Sequence, residues 1–567
     1  MCGLTASYTL PPQAPDAHLE VQLQDSIAAM NHRGPDSHGT YISEDGRVGL
    51  GHARLSIIDV EGGVQPLHDL EGDVHAIVNG ELYDYAELRQ DLEKRGCMFQ
   101  TFSDSELVIH LTLFKGVFKI PAAHHLLYTR MGQLKIQPWW DHPFPDQHVP
   151  ETRSVEEIIE GLRERMVDAV RARLRSDVPL AISLSGGLDS ASVAGIASAL
   201  LREKNPHAKV ATFTLAFPAR GDIDEGPVAK RMAEFVGADI HMVTPTEADL
   251  VGILDKAVYH TEHPVHTMHP SGRLILSQAI RAAGYKVTLT GEGSDEFQGG
   301  YSFLLADFLR AADPAGASLE SSSFSGGTYR ITRDPTKHAS PQDHVSVEDV
   351  KLNDHILGKA MLVGPAPHAS AGGEGEHGLW EMAPFEYWTG HLVLPWLLNE
   401  VGDRTEMGHS VEGRQPFLDH KMIEFIDNVP PSLKIRPQKT ADGKWTFTEK
   451  WVLREAMKPY ITEEIYLRTK SQYNSPLSNP KQNGVADGET EKALTPLQVY
   501  LKERVTKERV ERLGFLNWEN IEVLLDAYIQ NPETPKDGGL DRKARIILSI
   551  SSLTVLQDRF NVPTAVF

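Results

Sequence analysis

The sequence has few cysteines, no excess of basic residues and no long apolar run. The two cysteines, Cys2 and Cys97, are too few for a disulfide framework or an all-cysteine metal site. Asp and Glu number 78 against 56 Lys and Arg, so the net charge of −22 disfavours sequence-independent nucleic-acid binding. No apolar run reaches the ~18 residues of a membrane span, and MCGLTASYTL lacks the features of a secretory signal. We therefore expect a soluble, cytoplasmic protein without nucleic-acid or membrane partners.

The composition indicates a globular protein with more than one domain. The chain has 567 residues, 41% hydrophobic and 24% charged, a length typical of about two to four domains. Residues 1–145 are predicted to be β-rich, with strands in GLTASY, VGLGHARLSII and VHAIVNGELY and a hairpin in HHLLYTRMGQLKIQPWW. A helix over Ala86–Arg95 is expected to bury Leu88 and Leu92. The proline-containing segment DHPFPDQHVPETR then predicts a linker.

From residue 146 onwards, helical and strand patterns of apolar residues alternate, which is typical of an α/β domain. Ser154 and Glu157 have the spacing of a capping box at the start of a periodic helix. The strands VPLAISLS, KVATFTLAF, DIHMV and YKVTLTG then alternate with helices, which predicts a parallel sheet covered on both faces. Beyond about residue 380 the chain is predicted to be mostly helical, and 364–378 and 478–492 look like flexible inserts.

A glycine-rich turn, Ser185–Ser190 (SGGLDS), follows the strand LAISL and opens a helix. Glycines let the backbone approach an anion, and a helix N-terminus supplies free N–H groups and the positive end of the helix dipole. Asp189 would repel a phosphate unless a cation intervened, so the turn also implies Mg²⁺. An ordinary strand-to-helix turn is the alternative interpretation.

An acidic turn, Thr290–Glu296 (TGEGSDE), follows the next apolar strand, YKVTL. Ligands of parallel sheets bind beyond the carboxyl ends of the strands, so we expect this turn to lie beside SGGLDS. Three carboxylates separated by small residues suit Mg²⁺ and a phosphate chain. Ser294 followed by Asp295 would also suit a simple helix start.

Cys2 becomes the N-terminal residue if the initiator methionine is removed. An α-amine has a pKa of about 8 and could then take the thiol proton. Asn79 and the Gly80 N–H group could stabilise the oxyanion of an attacked amide, while Arg54 suits an α-carboxylate and Asp104 an α-ammonium. The alternative interpretation is that Cys2 is a small residue that follows the initiator methionine by chance and has no catalytic role.

The order of these motifs resembles that of the glutamine-hydrolysing asparagine synthetase family. MCG, HRGPD, RLSIID, NGELY and FSDSE resemble a class II, N-terminal-cysteine glutamine amidotransferase, and SGGLDS, GEGSDE and SVEGRQPFLD resemble a synthetase domain. The resemblance implies an α+β domain with an Ntn-hydrolase-type β-sandwich over residues 1–145. It implies an α/β synthetase domain over 146–567, with a parallel sheet of ATP-pyrophosphatase type and a mostly helical tail.

The resemblance also implies roles for individual residues. The catalytic residues would be Cys2, Asn79, Gly80, Glu292 and Lys470, the last in RTKSQY. Glutamine would be held by Arg54, Ile58, Asn79, Gly80, Glu81 and Asp104. ATP would be held by Leu184, Ser185, Gly186, Gly187, Asp189, Ser190, Leu215, Thr290, Gly291 and Asp295. Asp189 and Asp295 would also hold Mg²⁺ through the pyrophosphate.

The implied reaction is ATP-dependent amide formation. Cys2 would hydrolyse glutamine through a thioester, ATP would adenylate an acceptor carboxylate, and NH₃ would displace AMP. Aspartate is the acceptor that the resemblance implies, with asparagine, AMP and PPi as products. Another small carboxylate of specialised metabolism is one alternative, and a catalytically impaired homologue with a regulatory or structural role is another. A homodimer is the family expectation.

A histidine-rich segment, YHTEHPVHTMHPSGR, precedes the acidic turn. His260, His263, His266 and His269 recur every three residues, but Pro264 and Pro270 interrupt a continuous helix, which disfavours a metal site. The resemblance places the acceptor pocket here, and the small-Thr-Pro motif associated with aspartate selection is missing. The acceptor therefore stays open.

The first domain is shorter than the resemblance implies. LTLFKG runs into VFKIPA at Gly116–Val117, where the family has several more strands. The residues assigned to glutamine all lie upstream of that junction. We therefore expect glutamine chemistry on an incomplete scaffold, and poor use of glutamine relative to ammonia.

Overall fold

The computed structural model describes most of the chain, as an N-terminal unit (residues 2–138) and a C-terminal unit (residues 151–565). The described residues are 2–9, 14–68, 72, 75–94, 98–106, 124–128, 134–138, 151–218, 224–301, 396–439, 445–469, 494–530, 540 and 542–565. The expected boundary at residues 145–146 falls outside them and stays a prediction.

The N-terminal unit contains a three-stranded antiparallel sheet of order β1-β3-β2, made of Gly3–Tyr8 (β1), Ser37–Ile42 (β2) and Val48–Arg54 (β3). Helix α1, Leu19–Met30, packs on it through its buried residues Leu19, Leu23 and Ile27. A Cβ atom on Gly49 would lie 2.9 Å from the methyl groups of Leu19 and Leu23, so glycine lets the helix approach the central strand. Sequence reasoning missed β2, because SHGTYI lacks a clear apolar alternation.

The rest of the N-terminal unit consists of short elements: β4 (Leu67–His68), β5 (His75–Ala76), α2 (Tyr85–Lys94), β6 (His124–Tyr128) and β7 (Leu134–Pro138). The antiparallel pairing of β6 with β7 confirms the predicted hairpin. The expected burial on α2 is wrong: the helix buries no residue, and Leu88 is 38% exposed. Nearby Met98 and Phe102 are 65% and 75% exposed, so this apolar side has little cover. An Ntn-type sandwich stays a prediction.

The C-terminal unit is built on a parallel sheet, as predicted, with the four predicted strands and a fifth, Glu412–Arg414, that sequence reasoning missed. Its strands are Leu180–Ser183 (β8), Ala211–Leu215 (β9), Asp239–Val243 (β10), Val287–Leu289 (β11) and Glu412–Arg414 (β12). Their order is β10-β9-β8-β11-β12, and each neighbouring pair is parallel. The strand order therefore reverses between β8 and β11, which is where open parallel sheets bind ligands.

Seven helices accompany the first strands of this sheet within the described residues. They are Val155–Arg173 (α3), Leu188–Lys204 (α4), Gly226–Val236 (α5), Glu247–Gly252 (α6), Leu254–Thr261 (α7), His269–Ala282 (α8) and Ser294–Gln298 (α9). The predicted capping box of α3 is confirmed, since Ser154 and Glu157 bond each other's backbone N–H groups. Ile158, Leu162 and Met166 are fully buried on this helix, so the periodic apolar face forms the core.

The later part of the chain is mainly helical, as expected. Its elements are a π-helix at Trp396–Asp403, α10 (Arg404–Met407), α11 (His420–Asp427), α12 (Pro431–Lys434), β13 (Ile435–Lys439), β14 (Trp445–Glu449), α13 (Trp451–Met457), α14 (Glu463–Leu467), α15 (Pro496–Arg504), α16 (Lys507–Leu513), α17 (Trp518–Gln530) and α18 (Arg542–Phe560). The expected inserts 364–378 and 478–492 lie outside the described residues. Within the described part of the chain, no helix is long and apolar enough to span a membrane.

The two units share an interface. Leu55, Ile57 and Ile58 of the N-terminal unit belong to the same buried apolar cluster as the C-terminal sheet and its helices. The ion pairs that cross the boundary include Lys286–Asp36 at 2.6 Å and Arg33–Asp403 at 2.9 Å. The segment after β3 is thereby fixed against the sheet that carries the glycine-rich turn.

Candidate functional site

The glycine-rich turn lies at the carboxyl end of β8, the central strand of the parallel sheet. Gly186 has φ of +78°, a conformation that side chains rarely adopt, and a Cβ atom there would meet the Glu225 carbonyl at 3.0 Å. The Ser185 N–H donates to Ser190 Oγ at 3.0 Å, which closes the turn across the start of α4. The first N–H groups of a helix have no partner within it, so the turn is shaped to receive an anion.

The acidic turn lies directly beside it, as the sequence predicted. β8 and β11 pair in parallel, with Leu289 opposite Ile182. A Cβ atom on Gly291 would lie 2.8 Å from both Asp189 Cβ and Ser190 N, so only glycine permits this contact. Ser294 Oγ donates to Asp189 Oδ1 at 2.7 Å. The two sequence motifs therefore form one site.

Lys450 completes this site, and sequence reasoning missed it. Its ammonium lies 2.7 Å from Asp189 Oδ1 and 2.6 Å from Asp295 Oδ1, and its side chain is 1% exposed. The residue follows β14 directly and has φ of +52°, which is uncommon for a residue with a side chain. The only sequence signal was a lysine between a strand and a helix, in FTEKWVL.

The donor set at this point suits Mg²⁺. Oxygens of Asp189 and Asp295 both contact the same ammonium nitrogen, so one cation can reach both carboxylates. Carboxylate oxygens are the protein ligands that Mg²⁺ uses beside substrate phosphates. Asp189, Asp295 and Lys450 would therefore hold a Mg²⁺–pyrophosphate group between them.

The remaining residues assigned to ATP border the same sheet edge. Leu184 is buried and its N–H donates to the Phe213 carbonyl at 2.9 Å, while Leu215 is half-buried at the end of β9. The Thr290 N–H donates to the Arg414 carbonyl at 2.9 Å. Lys470 lies outside the described residues, so its assignment stays a prediction.

Glu292, the third carboxylate of the acidic turn, forms an ion pair with Arg273, a residue of α8 that the sequence reasoning did not single out. Arg273 also lies 3.2 Å from Glu406 of α10. Burial raises the pKa of Glu406 to about 7, although Arg273 opposes that shift. One guanidinium thus lies between a carboxylate of the acidic turn and a buried carboxylate of α10.

Cys2 directly precedes β1 and is 9% exposed. Its backbone N–H donates to Asn79 Oδ1 at 2.8 Å, its carbonyl accepts from Arg33 Nε at 3.0 Å, and its Sγ lies 3.9 Å from the Leu55 carbonyl. Burial raises the pKa of the Cys2 thiol, so a nearby base is needed to form a thiolate. Gly80 follows Asn79 with open space above its Cα.

Arg54 is buried beneath the loop that follows β3. Its Nη2 donates to the carbonyls of Ile58 at 3.0 Å and Asp59 at 2.7 Å, and its Nη1 donates to the Gly62 carbonyl. In this arrangement Arg54 and Ile58 shape the loop together. The role of Arg54 as a ligand for the glutamine carboxylate stays a prediction.

Asp104 and Glu81 lie buried in the same region. Asp104 accepts the Leu82 N–H at 2.9 Å, and burial raises its pKa. Glu81 lies 3.1 Å from Arg414, and burial raises its pKa despite this positive neighbour. Binding of the glutamine ammonium by Asp104, and a role of Glu81 in holding glutamine, stay predictions.

Arg414 joins the two candidate sites. It ends β12, is 1% exposed, and pairs with Glu412 at 2.7 Å as well as with Glu81 across the unit boundary. Its Nη1 also donates to the Arg173 and Arg175 carbonyls, at 2.9 and 2.5 Å. Arg414 of β12 therefore contacts both sites. Its carbonyl accepts the Thr290 N–H of the acidic turn, and its guanidinium pairs with Glu81, which lies close in sequence to Asn79, the partner of Cys2.

The histidine-rich segment contributes to the interface between the units. The His260 ring lies 4.6 Å from the His32 ring, and burial lowers the pKa of His260 to about 3. The His263 ring contacts the carbonyl of its own neighbour Pro264 at 3.0 Å. Among the described residues, no group of three potential ligands is placed to hold a metal ion.

Comparison with protein families agrees with this two-part arrangement. The Asparagine synthase family matches residues 161–544, and the Glutamine amidotransferase domain family matches residues 1–122. The chain belongs to the asparagine synthase family. The two family matches confirm the resemblance drawn from the motifs. This family uses ATP as a substrate.

Three relatives illustrate the range of names within the asparagine synthase family. "Amidase chry2" of Gibberella zeae is 30% identical over 100% of this chain and 99% of its own, and "Amidase chyE" of Penicillium rubens is 29% identical over the same shares. "Asparagine synthetase [glutamine-hydrolyzing] 3" of Bacillus subtilis is 25% identical over 83% of this chain and 87% of its own. The first alignment spans 690 positions, so that relative has residues that this 567-residue chain lacks.

Proposed function

We propose that this member of the asparagine synthase family transfers the amide nitrogen of glutamine to a carboxylate, with formation of AMP and PPi. The observation that carries the proposal is the joining of SGGLDS and TGEGSDE by Lys450. That arrangement offers helix-terminal N–H groups, two carboxylates for a cation and one ammonium at a single point. Such a set suits a polyphosphate and stabilises the charge that develops on departing PPi.

The synthetase site would work as follows. The glycine-rich turn and Lys450 would orient the β- and γ-phosphates. Asp189 and Asp295 would hold Mg²⁺, whose positive charge would offset the negative charge of the phosphates. The acceptor carboxylate attacks the α-phosphorus, and PPi leaves. NH₃ then attacks the acyl carbon, AMP leaves with the bonding electrons, and one proton is released with the amide.

The N-terminal unit would supply the NH₃. Removal of Met1 gives Cys2 an α-amine that takes the thiol proton, and the thiolate attacks the glutamine amide. Asn79 Oδ1 already accepts the Cys2 N–H, which leaves the Asn79 amide group and the Gly80 N–H for the oxyanion. NH₃ leaves, and water hydrolyses the thioester to glutamate and free Cys2.

Two groups of relatives suggest different acceptors. The asparagine synthetase relatives suggest aspartate, with asparagine as product. The relatives named amidases, which align over the whole chain at 29–30% identity, favour the alternative of another small carboxylate.

Nucleotide products test the proposal directly. The full-length protein should form AMP and PPi from ATP in a Mg²⁺-dependent reaction when an acceptor acid and ammonium are supplied. Production of ADP and phosphate would contradict the adenylation chemistry. Tight ATP binding without PPi release from any acid would instead favour the catalytically impaired alternative.

A further inference from the structure

Arg273 lies beside the acidic turn of the proposed synthetase site, in the segment YHTEHPVHTMHPSGR that the resemblance assigns to the acceptor. It lies in the first part of α8 and forms ion pairs with Glu292 of the acidic turn and with Glu406. Glu292 follows Gly291, which packs against Asp189 and Ser190 of the phosphate turn. The guanidinium therefore contacts the turn that packs against the phosphate turn, and its side chain is 20% exposed.

The packing around Glu406 fixes the position of its side chain. Its side chain is 7% exposed, and a Cβ atom on Gly413 would come within 2.0 Å of its Oε2. Only glycine at position 413 therefore leaves room for this carboxylate. Glu406 Oε2 has no hydrogen-bond partner among the described residues, whereas Oε1 accepts from Arg273. The contact between Arg273 and Glu406 is thus a fixed feature of the site.

Three other carboxylates near this edge have cationic partners, and Glu296 of the acidic turn accepts from the Tyr301 hydroxyl. Asp189 and Asp295 share Lys450, and Asp403 pairs with Arg33 at 2.9 Å. A free α-ammonium needs an anionic partner when it leaves water, because an unpaired buried charge is costly. Here it would compete with Arg273 for Glu292 and would be repelled by the guanidinium. A neutral or anionic group would instead meet the N–H donors of Arg273.

We propose that the acceptor is a small carboxylic acid without a free ammonium group, and that Arg273 excludes amino acids such as aspartate. This inference rests on the proposed function and specifies its substrate class. The nitrogen of such an acceptor would be acylated, or absent. Arg273 acts as a specificity determinant that touches the acceptor.

Matched pairs of acids test the substrate class. PPi release by the full-length protein would be measured with L-aspartate, N-acetyl-L-aspartate and succinate, and with L-phenylalanine, N-acetyl-L-phenylalanine and 3-phenylpropionate. We expect kcat/KM at least ~10-fold higher for the acids without an ammonium group, since repulsion between like charges opposes the others. An equal or higher value for a free amino acid would overturn the inference while leaving the proposed function intact. If no acid supports PPi release, the proposed function itself fails, and the inference fails with it.

Variants at position 273 test the assigned residue. Arg273→Met should release both carboxylates and raise the ratio of aspartate to succinate turnover by about 10-fold or more. Arg273→Lys keeps the positive charge and should keep the low ratio. Arg281→Met, on the same helix and away from the turn, is the matched control. If Arg273→Met fails to fold, Glu406→Gln supplies the second test. It leaves Glu292 as the sole carboxylate partner of Arg273 among the described residues, so the ratio of aspartate to succinate turnover should fall further. An unchanged ratio in the folded variants would refute the role of Arg273.

Discussion

The ammonium of Lys450 lies 2.7 Å from Oδ1 of Asp189, although 261 residues separate the two in sequence. The lysine belongs to the segment after the β13–β14 hairpin, and the aspartate opens the helix behind the central strand. Asp295 shares the same ammonium, so a distant part of the chain closes the candidate nucleotide site. Folding of the later helical part and assembly of this site are therefore coupled.

Removal of the lysine charge should destabilise the protein. Lys450→Met would leave two buried carboxylates facing each other, and breaking a buried pair in this way costs about 3–5 kcal/mol. Chemical unfolding monitored by circular dichroism would measure the loss. Lys209→Met is the matched control, because the Lys209–Asp239 pair is 61% and 59% exposed and such pairs contribute about 0–1 kcal/mol. Equal effects of the two substitutions would contradict the buried arrangement.

Replacement of Asp189 should abolish adenylation with every nitrogen source. Asp189→Ala removes the charge that allows Mg²⁺ beside the phosphates, so AMP and PPi should fall by ~100-fold or more with glutamine and with ammonium alike. Asp168→Ala, on the exposed face of α3, should leave both activities unchanged. Retention of PPi release in Asp189→Ala would move the nucleotide site elsewhere.

Cys2 should matter only for the supply of nitrogen. Cys2→Ala is expected to stop glutamine-dependent synthesis and to leave ammonium-dependent synthesis largely intact, since the nucleophile and the nucleotide turn lie in different units. Intact-mass analysis should show that Met1 is absent from the mature protein. Retained methionine would block the α-amine and refute the proposed thiolate mechanism.

Glutamine should be a poorer nitrogen source than ammonium for this chain. Phe102 and Met98 are 75% and 65% exposed, and the predicted junction at Gly116–Val117 lies outside the described residues. Each large apolar side chain left uncovered forgoes about 1.5–3 kcal/mol, and a displacement of ~1 Å in a catalytic site can lower the rate ~100-fold. Assays of one preparation with both donors, together with limited proteolysis, test this. Equal turnover with a protease-resistant N-terminal unit would contradict it.

Glu296 should make the protein less stable as the pH rises towards neutrality. Burial raises its pKa to about 7, and the negative charge of Asp295 adds to this shift. An ordinary glutamate in the unfolded chain has a pKa of about 4.3, so the folded state binds more protons between these values and stability falls across that window. Glu296→Gln should therefore raise stability by roughly 1–3 kcal/mol at pH 7.5 and change it little at pH 4.5. Thermal unfolding at both pH values measures the difference, and an equal effect at both would contradict the shift.

The sequence by itself determined the local chemistry and much of the C-terminal fold. Ser154 with Glu157 predicted the start of α3, the alternating strands predicted a parallel sheet, and the two strand-end turns were expected to meet because parallel strands share one carboxyl edge. These are short-range patterns, and the residue types alone encode them. The order of motifs likewise indicated the family.

Only the tertiary structure decided which distant charges meet. Lys450 and Arg273 carry no local signal, because a lysine or arginine on a helix or turn is usually solvated. Their partners, Asp189 and Glu406, come from remote segments that the sheet order brings together. The exposed side of α2 was missed for the same reason: an apolar face predicts burial, but a covering layer from elsewhere in the chain must supply it. Burial of charge and packing of layers are properties of the whole fold, so the sequence pattern could not specify them.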